Sequence, residues 1–279
     1  MMHVSQFRLS NHSCMEIVGY VASLLIGISL GLIGGGGSIL TVPVLVYLFG
    51  LQPLVATSYS LFVVGSTSLV GGINNLKKGL VNVKAALLFG SASIATVFLT
   101  RKFLVPHIPK IIASIDGYNL TESFFLMVVF AVLMLLASVS MIRSKVSEVH
   151  DNDSHHSFSF GKLMTYGITI GIITGLLGAG GGFLLIPALV FLLKLPMKKA
   201  IGTSLMIIAL NSLVGFTGDL GHLSIDWLFL LKITAIAVAG IFLGGALGKK
   251  LHGDKLKKGF GWFVLAMGIY ILVKEILLK

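Results

Sequence analysis

Of 279 residues, 56% are hydrophobic and only 11% are charged. A water-soluble domain carries about 25% charged residues, so this chain cannot cover a solvent-facing surface and is expected in a lipid bilayer. Its net charge of +11 does not point to nucleic acid, because the basic residues fall in short loops between apolar runs, as membrane topology requires.

Apolar runs predict about ten helical segments, at 17–33, 38–50, 54–76, 82–105, 122–143, 162–178, 183–195, 199–218, 225–248 and 258–278. The first follows Arg8 and has the look of a signal peptide, but the same stretch recurs at Leu163–Leu177, so it reads as part of the fold. Cys14 is the only cysteine, which excludes an intrachain disulfide and a cysteine metal site. A full span needs about 20 residues. The segments at 38–50 and 183–195 are too short for that, and each follows a glycine cluster, Gly34–Gly37 or Gly180–Gly182. Each cluster is expected to be a break inside the membrane zone, joining a helix to a half-spanning one. The stretch His150–His156 has the composition of a metal tract, but a solvated loop is the expected reading, since nothing beside it would hold ligands in geometry.

The two halves are copies. Residues 26–84 align without a gap on 170–228, with roughly 22 identities in 59 positions. GLIGGGGSILTVPVLVYL from Gly31 matches GLLGAGGGFLLIPALVFL from Gly175. The expected fold is an all-α polytopic transmembrane helix bundle of about 8–10 segments. It comprises repeat 15–145, a polar His-rich loop 146–161, and repeat 162–279.

If every segment crosses, one set of alternate loops holds about 14 Lys and Arg and the other about 6, which puts the first set in the cytoplasm and both termini outside. The loop after the third segment carries Lys77, Lys78 and Lys84, while its counterpart after the eighth has no Lys or Arg; after the second and seventh segments the imbalance is reversed. Two copies in opposite orientation would show this exchange. A parallel four-crossing repeat is the alternative.

Glycine-interrupted segments at matching places in two halves point to a transporter's substrate site. Gly34, Gly35, Gly36 and Gly37, with Gly178, Gly180, Gly181 and Gly182, let main-chain N–H groups approach a ligand closely. Half-helices read from Ser38 and Phe183 would present N-terminal partial positive charge to an anion. No Lys or Arg is read in the middle of any span, so the main chain would supply the positive field. Close helix packing competes with this reading. Gly27/Gly31/Gly35, Gly171/Gly175 and Gly240/Gly244/Gly248 have the small-residue interface spacing, and packing suffices for the last set, but it accounts poorly for adjacent glycines. Both clusters lack the phosphate-loop and dinucleotide patterns, and no cofactor is expected.

Polar residues of the third and eighth segments form a second layer: Ser60, Ser68, Thr203, Ser204, Asn211 and Ser212. Hydroxyls often bond back to their own helix, yet Ser60/Ser204 and Ser68/Ser212 occupy equivalent places in the two copies. Asp219 is the acid nearest a span interior and a candidate for carrying a coupling proton. It also lies by Gly218 and Gly221 near a helix end, where exposure is the alternative, and His222 reads in the same way.

GLIGGGGSILTVP and GLLGAGGGFLLIP, together with AIGTSL at Ala200–Leu205, resemble the TauE/SafE sulfite exporter family. The first copy departs from the pattern, reading ATSYSL at Ala56–Leu61, with Tyr59 in the place of Thr203. The resemblance implies a secondary carrier of sulfite, sulfoacetate or similar sulfur-containing anions in the bacterial inner membrane. The residues themselves reach only as far as an anion. The reading is an alternating-access carrier that uses a proton or ion gradient, in which a homo-oligomer is compatible with the sequence. An anion channel or a non-transporting subunit is the alternative. A membrane-embedded enzyme stands further off, because the histidines fall near the termini, in loops or at helix ends.

Overall fold

The computed structural model of the protein describes residues 2–115, 118–143, 160–247 and 253–277. Most of the loop expected at 146–161, with its His150–His156 tract, lies outside the described residues, and the second half begins at Phe160.

Helix α1 (Met2–Ile33) stops at Gly34, whose φ of 75° and ψ of −138° suit glycine alone. A 3-10 stretch, Gly35–Leu40, leads into the short α2 (Thr41–Tyr47). Helix α3 (Pro53–Lys77) opens with proline in its first turn, where the missing N–H costs nothing. Asn82 caps α4 (Val83–Leu99), its side-chain oxygen accepting from the Ala85 N–H at 3.0 Å. A π turn (Thr100–Leu104) and a 3-10 turn (Val105–His107) prolong α4 into a span of 25 residues. A small antiparallel hairpin, β1 (Ile111–Ile115) with β2 (Tyr118–Thr121), precedes α5 (Glu122–Arg143). The second half runs α6 (Phe160–Leu177), α7 (Gly182–Leu193), α8 (Met197–Asp219), α9 (Trp227–Leu247) and α10 (Gly253–Leu277). Between α6 and α7, Gly178, Gly180 and Gly181 all take left-handed φ near 67°.

The molecule is therefore a polytopic all-α bundle. Among the described residues, five helices are long and apolar enough to cross a membrane: α3, α4 with its extension, α5, α8 and α9. Large apolar side chains such as Leu87, Leu136, Leu228 and Phe242 stand exposed on three of them, a surface suited to lipid. Among the described residues, the hairpin is the one sheet that departs from the all-helical expectation. Its alternation is too brief to read in so apolar a sequence.

Both short segments turn back. Gly37 lies against Ser29 and Leu30, and the Phe49 ring packs on Gly19 and on Tyr20, with ring centroids 5.8 Å apart in the latter pair. The 3-10 stretch and α2 thus return alongside α1 as a re-entrant hairpin. In the second half Gly181 lies over Ile170 and Thr174, and Leu163, Ile170, Leu185, Leu189 and Leu193 share one apolar cluster.

Glycines set the long contacts. Gly27 and Gly31 admit α9, while Gly240 and Gly244 admit α1, backbone against backbone with the two helices parallel. Gly167, Gly171 and Gly175 bring α6 against α4 in the same parallel sense, at Phe89, Ser93 and Thr100. Gly65 faces Leu213 and Gly72 faces Met206, so α3 and α8 run antiparallel through the centre. Gly261 against Met141 and Gly268 against Met134 set α10 antiparallel to α5. The packing explanation for Gly240 and Gly244 is met; Gly248 lies outside the described residues.

Candidate functional site

The two glycine breaks meet. A Cβ on Gly35 or on Gly182 would collide with the Cα of the other, so these main chains touch with no side chain between them. Ile208, near the middle of α8, reaches both breaks: its side chain lies against Gly35 and stands 2.9 Å from where a Gly180 Cβ would be. Val64, near the middle of α3, approaches the same point at 2.8 Å, and the Ser212 hydroxyl at 3.2 Å. Gly178 presses on the Thr57 backbone, and Gly34 on Ile201. The breaks therefore sit at about half the depth of the bundle, inside protein, the condition under which irregular backbone survives in a membrane.

The half-helices do not begin where the sequence suggested. Ser38 falls inside the 3-10 stretch, which starts at Gly35, and α-helical geometry sets in only at Thr41. The second begins at Gly182, one residue before Phe183. The tighter 3-10 winding follows from packed glycines and Ser38, whose hydroxyl donates to Gly35 O at 2.7 Å. The Leu184 and Leu185 N–H groups bond to Gly181 O, each at 3.0 Å. Gly36 lies within the 3-10 stretch.

On α3, Ser60, Val64 and Ser68 are spaced by four and share one face. Ser204, Ile208 and Ser212 do the same on α8. The apolar residue of each trio touches a break, so these faces look toward the glycines. All four serines are fully buried. Ser204 donates to Ile201 O at 2.9 Å, whereas Ser60, Ser68 and Ser212 have no partner. Thr41 and Thr174 hydroxyls are buried without a partner too, and Thr174 lies against Gly181. Neither was singled out from the sequence. The contact of Thr174 with Gly181 is visible only once the hairpin closes.

Asn211 donates to Ser93 Oγ at 2.7 Å, tying α8 to α4, and its own carbonyl oxygen is left unpartnered. Thr203 stands apart from this group. Its hydroxyl accepts from the Asn82 N–H at 2.9 Å, so it anchors the start of α4 at one end of the bundle.

No Lys or Arg is read in the middle of a span, but one basic side chain is buried near the end of one. Arg101, near the end of the apolar segment read at 82–105, is fully buried in the π turn that prolongs α4. It pairs with Asp219 at the end of α8, Nη1 to Oδ2 at 3.2 Å. Asp219 is only 4% exposed, so the alternative of an interfacial, solvated acid does not hold. His222, three residues on, is exposed.

Broken helices meeting at mid-depth, lined by buried hydroxyls, define a membrane protein of the transporter class. The family model of the sulfite exporter TauE/SafE matches residues 20–271, and the chain belongs to that family. A probable membrane transporter protein of Xylella fastidiosa (strain 9a5c) is 30% identical over 253 residues, spanning 89% of this chain and 91% of its own. The probable membrane transporter protein YunE of Bacillus subtilis is 27% identical, over 85% of this chain and 89% of its own length. A further probable membrane transporter protein, from Haemophilus influenzae, is 24% identical over 90% of this chain and 95% of its own. No solved structure matches the chain.

Proposed function

We propose that this protein is a secondary carrier of small oxyanions, sulfite and related sulfur compounds first among them. In this reading the anion sits between the two glycine breaks, held by main-chain N–H groups and by Ser60, Ser68 and Ser212. One observation carries the reading: Gly35 touches Gly182 at the centre of the bundle while three buried serines on the facing helices lack partners. A buried hydroxyl without a partner costs about 1–3 kcal/mol. Clustering several beside closely packed glycine main chain is accounted for by a ligand that satisfies them.

The halves are proposed to be inverted copies that exchange access to this site. The equivalent helices α3 and α8 run antiparallel, and the parallel α1–α9 contact has its counterpart in α6–α4, which supports that symmetry. Residence in the inner membrane with both termini outside belongs to the same proposal, as does an ion gradient as the energy source. Asp219 is the acid proposed to take a coupling proton, and doing so would loosen its hold on Arg101.

The test is reconstitution of the full chain in proteoliposomes, with fluxes of sulfite, thiosulfate, sulfate and an organosulfonate compared with and without a pH gradient. Saturable flux with counterflow is expected for at least one sulfur anion. Conduction without saturation would replace the carrier by a channel, and no flux of any of these anions would end the proposal.

A further inference from the structure

Arg101 has more donors than its ion pair uses. A guanidinium carries five N–H groups in a planar fork. Here Nη1 donates to Asp219, while Nε and Nη2 are buried and unpartnered. These two nitrogens form one edge of the guanidinium, whose parallel N–H bonds match two oxygens of a carboxylate, phosphate or sulfur oxyanion. A pair serving only to hold α4 to α8 would be expected to use that edge as well.

The fold does not need the pair. Asn75 is the aligned counterpart of Asp219, and the same offset carried past the aligned stretch sets Gly245 against Arg101. The same helix contact exists there: Gly71 meets Ile241 just as Gly215 meets Val97. Asn75 turns back to its own helix, donating to Gly71 O at 2.9 Å. One contact of the two thus closes with glycine and an amide, and the other carries a charged fork with its free edge buried.

We infer that Arg101 is a second anion-binding position, at the end of the bundle where α4 and α8 finish, taking an oxyanion on its Nε/Nη2 edge while Asp219 orients it through Nη1. The site is a station on the way to or from the glycine breaks, and it is occluded in the present conformation. Gly218 lets α8 press on it, a Cβ there standing 3.0 Å from Arg101 Cβ. The choice of ligand and the place on a path to the breaks rest on the carrier reading above; the binding position itself does not.

Sulfite binding to the purified full chain in detergent, measured by calorimetry, tests this, with sulfate as a second probe. Arg101→Lys keeps the charge and removes the fork, and sulfite binding should weaken about tenfold or more. Arg101→Gln/Asp219→Asn removes both charges together, so no charge is left buried alone, and should weaken binding at least as much. Wild-type affinity in both variants overturns the proposal, as does failure of the native chain to bind either anion. Flux separates the two readings. Arg101-dependent binding without transport keeps this site and removes the carrier, whereas transport with binding indifferent to Arg101 does the reverse.

Discussion

A methyl group on Gly182 has nowhere to go, because it would stand on the Cα of Gly35. Gly180 adds a conformational demand: its φ of 66° costs an L-residue about 1–2 kcal/mol before any contact is counted. Gly180→Leu, whose Cβ would meet Val64, Ile208 and Ser212, is expected to abolish anion flux while the protein still inserts in the membrane. Gly79 is the control, with φ 68° but open space around it. Gly79→Ala should cost only the backbone strain and keep transport, and flux assays with membrane quantification compare the two. The serines give an opposite signature. Ser212→Ala deletes a buried hydroxyl that has no partner, so thermal stability without anion should hold or rise by about 1 kcal/mol. The anion KM should increase several-fold. A fall in stability with unchanged KM would reassign Ser212 to packing.

At the scale of elements, the α4–α8 contact is the clearest case for measurement. Asn211–Ser93, Gly215–Val97 and Arg101–Asp219 follow one another along it. Removing one partner of a buried ion pair strands the other charge and typically costs about 3–5 kcal/mol. Asp219→Leu alone should therefore lower the unfolding temperature sharply, and Arg101→Met/Asp219→Leu should regain most of the loss, as thermal melts in detergent would record. The broken helices were legible in the sequence because adjacent glycines before a short apolar run have few other uses in hydrocarbon. The inward aim of Arg101 was not, since two adjacent basic residues near the end of the 82–105 segment read alike. The π turn adds a residue to the last turn of α4, which aims Arg101 inward while Lys102 stays exposed over the rings of Phe98 and Phe103. Thr203 shows a related limit. Tyr59 stands at its place in the other copy, so comparing the copies could not reveal that its hydroxyl accepts from Asn82.

For the whole molecule, the proposed inversion of the two halves has a sharp geometric consequence. Lys78 follows α3 and His222 follows α8, at aligned positions of the two copies, and both are exposed. If α3 and α8 cross in opposite senses, as their antiparallel contact at Gly65 and Gly72 supports, these residues lie on opposite faces of the membrane. In a parallel repeat they would share a face. Cys14 is the sole native cysteine, so a Cys14→Ser background permits a single reporter thiol at either position. The loop charges put the Lys78 side in the cytoplasm. A membrane-impermeant maleimide added to intact cells should label His222→Cys at once and Lys78→Cys only after the membrane is opened. The opposite result would turn the molecule over without disturbing the exchange of the halves. Labelling of both from the same side would remove the inversion, and with it the symmetry by which one central site is offered in turn to each face.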